Sequence, residues 1–147
     1  MKKKCSNYAN LLKAYEKASQ EEIGLAHLYA AKAYTATNKL TEATKELNLA
    51  ALKSKTETGA EARYLVAEQQ LKAKQYDKAI ASAFDIANNF SSYDYWVGKG
   101  FILMSDAYVG KGDKFQAKAT LESIIDNYEN KEDGILKSAT ERLGKLK

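Results

Sequence analysis

The chain has 147 residues, 45% of them hydrophobic, with no proline and a formal net charge of +4 at a pI near 9.0. That is apolar content for one core of ordinary size, and a single domain is expected over 1–147. Lysine supplies nearly all the positive charge, since Arg63 and Arg142 are the only arginines. Lysine mixed with glutamate marks solvated helix faces, which argues against the arginine forks of a nucleic-acid site.

No apolar stretch approaches the ~20 residues needed to cross a bilayer, and the N-terminus has no signal-peptide apolar region, so a soluble chain without membrane insertion is expected. Met1-Lys2-Lys3-Lys4-Cys5 lacks the apolar segment that precedes a lipid-modified cysteine. Cys5 is the sole cysteine, which excludes an intrachain disulfide and leaves the redox compartment open.

Helix-favouring Ala, Leu, Lys, Glu and Gln dominate, so the expected fold is all-α. Leu11, Leu12, Tyr15 and Ala18 are spaced as one face of a helix over Ser6 to Ser19. Ser19-Gln20-Glu21-Glu22 matches a capping box, in which the serine oxygen and the glutamate satisfy each other's backbone amides, and it predicts that a second helix starts there. That helix runs to about Thr37, and Asn38-Lys39 turns into a third with Leu40, Ala43, Leu47 and Ala50 as its buried stripe.

Thr58-Gly59-Ala60-Glu61 predicts a second capping box and a fourth helix to about Lys74. A fifth spans roughly Asp77 to Asn88 and stops at Asn88-Asn89 and Ser91-Ser92. The sixth carries the heaviest apolar load, with Tyr95, Trp96, Phe101, Met104, Ala107 and Tyr108, and Gly98 and Gly100 mark close approaches of backbone to a neighbour. Gly110-Lys111-Gly112-Asp113 turns it into a seventh, with Phe115, Leu121, Ile124, Ile125 and Tyr128 as the apolar stripe. From about Asp133 to Leu146 an eighth helix puts Leu136, Ala139, Leu143 and Leu146 on one side, with Lys137, Glu141, Arg142 and Lys145 facing elsewhere, as a terminal cap does.

Beneath these elements lies a repeat. Ala43, Ala79 and Ala117 are thirty-six and thirty-eight residues apart. Nine residues before each stand Tyr34, Gln70 and Tyr108, and four and seven after stand Leu47 and Ala50, Ala83 and Ile86, Leu121 and Ile124. Such a period signals helical units that bury their apolar faces against one another.

On those residues the chain resembles the tetratricopeptide repeat (TPR) family, over most of its length. Tyr34, Gln70 and Tyr108 hold the family's tyrosine place, and Ala30-Ala31, Val66-Ala67 and Met104-Ser105 its leucine-glycine place. The central alanine stands in every copy, where two helices cross closely. His27, Arg63 and Phe101 replace the first-helix tryptophan, and Lys55, Ser91 and Glu129 replace the closing proline.

The resemblance implies a right-handed superhelical stack of antiparallel helix pairs with about eight helices. Residues 1–20 would be a half-repeat helix, 21–56, 57–92 and 93–131 three repeats, and 132–147 a capping helix. The chain would then be part of a longer array. Gly112-Asp113-Lys114-Phe115-Gln116-Ala117-Lys118-Ala119-Thr120-Leu121 is similar to TPR-like proteins of bacterial envelopes, which implies an envelope or periplasmic location; without that likeness a cytoplasmic one is expected.

The resemblance further implies a protein or peptide partner on the concave side, which the first helices line with Lys32, Glu61, Tyr64, Glu68, Lys99, Asp106 and Val109. Family members that grip a chaperone's acidic C-terminus use basic residues and asparagine at places held here by Leu28, Lys32, Leu65, Lys99 and Leu103, so that partner is not expected. The alternative is a structural spacer without its own ligand.

Chemistry finds little purchase. His27 is the only histidine, and its same-helix neighbours Ile23, Gly24, Ala30 and Ala31 can neither ligate a metal nor orient an imidazole, so it is expected to pack. Gly110-Lys111-Gly112 lacks the spacing of a phosphate loop and joins two helices. Glu42 with Glu46, and Asp126 with Glu129, are expected in solvated charge pairs on outer faces. No enzyme activity, cofactor or metal is expected.

Overall fold

The computed structural model describes residues 2–146, with side chains from Ser19 onward and those of Asn10 and Glu16. Cys5 and the stripe of Leu11, Leu12, Tyr15 and Ala18 lie outside the described side chains. Among the described residues there are seven helices and no strand: α1 (Lys2–Ala36), α2 (Leu40–Lys53), α3 (Glu57–Lys72), α4 (Tyr76–Asn89), α5 (Asp94–Gly110), α6 (Lys114–Asn127) and α7 (Ile135–Lys145).

The count is seven, not eight, because the expected break at Ser19 does not occur. Ser19 Oγ donates to the Glu16 carbonyl within a continuous 35-residue helix. Glu21, the other half of the expected box, reaches out of the helix. Its carboxylate accepts from Ser54 Oγ at 2.6 Å, Thr56 Oγ1 at 2.8 Å and the Lys55 amide at 2.9 Å.

The second expected box is also replaced. α3 starts at Glu57 with Thr56 as an extended N-cap that makes no side-chain cap bond, and the Gly59 amide donates to Ser54 Oγ at 3.1 Å. Neither serine nor threonine of the two expected boxes caps a helix: Ser19 lies inside α1, and α3 begins before Gly59. The amides that precede and open α3 are served instead by the Ser54 hydroxyl of the same loop and by the Glu21 carboxylate of α1.

Three hairpin turns share one hydrogen-bond pattern. Lys39 N–H donates to Tyr34 O, Gln75 N–H to Gln70 O and Asp113 N–H to Tyr108 O, each at 2.8 Å. The residue before each donor has a left-handed backbone: Asn38 at φ 60°, Lys74 at 59° and Gly112 at 82°. This six-to-one bond over a left-handed residue closes the helix carbonyls. The next helix then begins with Ala43, Ala79 and Ala117 donating to Lys39, Gln75 and Asp113. Each of these alanines is fully buried, and Ala79 packs with Ala67 of α3 and with Leu103 and Ala107 of α5.

The hairpins α1–α2, α3–α4 and α5–α6 pack in series, with α7 against α5 and α6. Across hairpins α3 touches α1 and α5, and α5 touches α7, whereas α2, α4 and α6 touch only their neighbours in sequence. The core runs between hairpins: Leu28, Leu47 and Val66 join α1, α2 and α3; Ala67, Ala79 and Leu103 join α3, α4 and α5; Ile102, Leu121, Ile135 and Ala139 join α5, α6 and α7.

Gly98 and Gly100 stand at close approaches, as expected. A Cβ on Gly98 would lie 3.0 Å from the Tyr128 ring, and one on Gly100 3.3 Å from Ile86 Cδ1.

Leu40 and Phe115, expected in buried stripes, are 47% and 81% exposed. Leu40 opens α2, and Phe115 is the second residue of α6. A helical Cα–Cβ bond tilts toward the N-terminus, so a first-turn side chain projects past the helix end.

Candidate functional site

α1, α3, α5 and α7 form one row, and the seven residues singled out for a concave surface all lie on its first three helices. The structure brings most of them into contact. Lys32 on α1 donates to Glu61 on α3 at 3.2 Å. Glu68 accepts from Lys72 one turn on, at 3.4 Å. Asp106 on α5 takes both Nε and Nη2 of Arg142 on α7, at 2.9 and 3.1 Å, and this hydrogen bonding holds the guanidinium pKa above its ordinary value. Arg142 was expected to face elsewhere, but the bidentate fork ties the last helix to the row. Val109 adds exposed apolar surface three residues beyond Asp106.

Lys99 has a different setting. Its ammonium lies 4.6 Å from the Tyr64 ring centre, 5.3 Å from Trp96 and 5.6 Å from Tyr95. The rings lean on one another, with centres 5.6 Å apart for Tyr64–Trp96 and 5.2 Å for Tyr95–Trp96, and Trp96 Nε1 donates to Glu57 at 3.1 Å. Aromatic faces attract a cation without neutralising it. Burial, reinforced by the charge of Glu68, pushes the Tyr64 phenol up to about 12. Tyr95, Trp96 and Arg142 complete this face and were not assigned to the concave surface from sequence; a Tyr-Trp pair one turn before a lysine was the available signal.

Two clefts open along the row. One of about 220 Å³ lies between α3, α5 and α7, bordered by Tyr64, Lys99, Ser138 and Arg142. Asp133 borders it too, already engaged by the Tyr128 hydroxyl and the Ile135 amide. Burial and this carboxylate raise the Tyr128 pKa. The other cleft, about 320 Å³, lies between α1, α2 and α3 and is mostly apolar, walled by Ala31, Leu40, Leu47 and Leu65 with Lys32, Glu68 and Lys72 at its rim.

Of the five places that would grip an acidic terminus, Leu28 and Leu103 are buried in the core, and Lys99 is drawn into the aromatic cluster. His27, expected only to pack, bonds through Nδ1 to Glu46 of α2 at 2.5 Å. Glu46 is therefore not on a solvated outer face: its partner comes from the facing helix, where same-helix spacing does not reach.

Arg63 Nε lies 2.8 Å from Asp85 Oδ2, at ion-pair distance but poorly aligned for a hydrogen bond, while its Nη1 donates to Asn48 at 3.2 Å. Among the described residues no three His, Cys, Asp or Glu side chains gather as metal ligands, and no helix is long and apolar enough to cross a membrane. Set against protein-family models, curated proteins and solved structures, the chain matches none.

Proposed function

We propose that the chain is a non-catalytic protein- or peptide-binding scaffold of TPR type, a right-handed superhelical stack of helix pairs whose row of α1, α3, α5 and α7 forms the concave binding surface. One observation carries this. The first helices of successive hairpins touch one another while the second helices do not, which is the packing of a stack that curves around its first helices. The three identical turns at the repeat period give independent support.

On that surface the Tyr64–Tyr95–Trp96 cluster around Lys99 offers rigid aromatic area with a cation held over its rings. Such groups anchor protein interfaces at low entropic cost. An envelope or periplasmic home belongs to the same proposal and rests on the resemblance of residues 112–121.

The test is recovery of a partner from an extract of the source cells by wild type and by a Lys99→Glu variant. Loss of the partner with an unchanged thermal melt is expected, and equal recovery rejects the surface. The spacer alternative is favoured by the length of α1, 35 residues against 14 for its partner α2, which among the described residues leaves its first half without a hairpin mate. It requires crosslinks to a neighbouring assembly at the ends of the stack, and crosslinks confined to the row would reject it.

A further inference from the structure

The cleft between α1, α2 and α3 differs chemically from the rest of the row. Its walls are apolar, and they remain partly open to water because Leu40, at the first turn of α2, does not fold onto the core. Its volume of about 320 Å³ accommodates one large aliphatic or thioether side chain with room to spare.

The rim is asymmetric in charge. A shallower cleft adjoins this one across Leu40, Gln69 and Ala73, and the charged side chains lining the two are Lys32, Lys72 and Lys78 against Glu68 alone. In the two lysine ion pairs of this rim, moreover, the lysine is the outer member. Lys72 is 73% exposed against 36% for Glu68, and Lys32 46% against 25% for Glu61. Lys39 and Lys74 are exposed in the two turns that flank this edge, with Glu42 and Asp77 in the first turns of the helices that follow. An approaching chain meets ammonium groups first and an apolar floor behind them.

We infer that this cleft takes an apolar side chain, leucine or methionine in size, from an internal segment of a partner protein whose flanking residues are acidic. The inference rests on the binding role proposed above and names the partner chemistry for one part of the row. Burial of Leu40 and of the incoming side chain supplies the attraction, and complementary charge at the rim selects the flanks and speeds encounter. Because the flanks are read by side-chain charge and not by a terminal carboxylate, a peptide blocked at both ends is recognised.

Titration of the full, isotope-labelled chain by NMR tests this with two acetylated and amidated peptides, one leucine flanked by glutamates and the same leucine flanked by lysines. The expected result is movement of the Thr35, Leu40, Gln69 and Ala73 amides, with at least fivefold tighter binding of the acidic peptide. Thr35→Trp, or Ala73→Phe from the opposite wall, fills the cleft and abolishes the response. Lys32→Glu with Lys72→Glu reverses the flank preference while the melt stays unchanged. Equal binding of the two peptides, a response that survives both cleft-filling variants, or no movement of the four amides overturns the inference. Movement confined to Tyr64, Trp96 and Lys99 leaves the scaffold proposal standing and removes the cleft from it. Phosphatidylglycerol vesicles that move the cleft signals when neither peptide does would assign the edge to a lipid surface and likewise overturn it.

Discussion

Replacing Gly59 by alanine sets helix propensity against available space. Gly59 is the third residue of α3, where propensity alone favours alanine by about 1 kcal/mol. An added Cβ, however, would lie 2.3 Å from the Ser54 carbonyl oxygen and 2.6 and 2.9 Å from two ring carbons of Phe90. Ordinary van der Waals separation asks for roughly 1 Å more than this. Neither neighbour can yield cheaply. Phe90 is buried, and Ser54, fully buried, donates to Glu21 and accepts from the Thr56 and Gly59 amides.

Overpacking of this kind costs about 1–3 kcal/mol, and a collision with a backbone atom belongs at the upper end, so the net loss is about 2 kcal/mol after the gain in propensity. At this chain length that lowers Tm by roughly 4–8 °C. Gly144→Ala in α7 is the counterpart, because its Cβ would meet nothing within 4 Å; propensity then acts alone and stabilises by up to about 1 kcal/mol. Thermal and urea unfolding followed by circular dichroism reads both. A Gly59→Ala protein that melts at or above wild type would falsify the close approach of α3 to the Ser54 loop.

Ala79→Leu should cost about 1–3 kcal/mol by overpacking, since Ala79 is wholly buried against Ala67, Leu103 and Ala107; an unchanged urea midpoint would exclude a close crossing there. Glu21 is the site for a pH test. Burial raises its pKa, but the hydrogen bonds from Ser54, Lys55 and Thr56 together outweigh burial and hold it below the usual glutamate range. The ionised form thus stabilises the fold above the unfolded pKa of about 4.3, and the contribution fades as pH falls through the lower folded value. Glu21→Gln should cost roughly 1–2 kcal/mol near neutrality and converge with wild type in acid, and a constant gap across that range would contradict the assignment.

Tyr64, raised to about 12, acts in the opposite direction. Its neutral phenol stabilises the fold fully below pH ~10 and loses that contribution as pH climbs through about 12. In an ultraviolet titration Tyr64→Phe should remove ionisation amplitude from the late alkaline part of the curve; removal from the early part would place Tyr64 in water.

The alanine ladder, the helix-rich composition and the turn residues were sufficient to expect an all-helical chain of paired helices, because short-range propensity and a recurrence at thirty-six and thirty-eight residues are properties of the sequence itself. Ala43, Ala79 and Ala117 are buried as that period required, and Asn38, Lys74 and Gly112 turn the chain where one helix of each pair ends. What failed were three readings that kept a polar side chain to its own helix or to solvent. Glu21 caps the loop before α3 instead of starting a helix, Glu46 turns inward to His27, and Arg142 reaches Asp106 on another helix.

The same holds for the candidate surface. Lys32, Glu61, Tyr64, Glu68, Lys99, Asp106 and Val109 could be assigned to the first helices by counting positions. Only packing decided that Lys32 pairs with Glu61, that Lys99 sits among three rings, and that Leu40 stays open beside an apolar cleft. Periodicity reports which face of a helix a residue occupies. Which partner it meets depends on the distance and tilt between helices, and these are set by side-chain volumes summed over the whole stack.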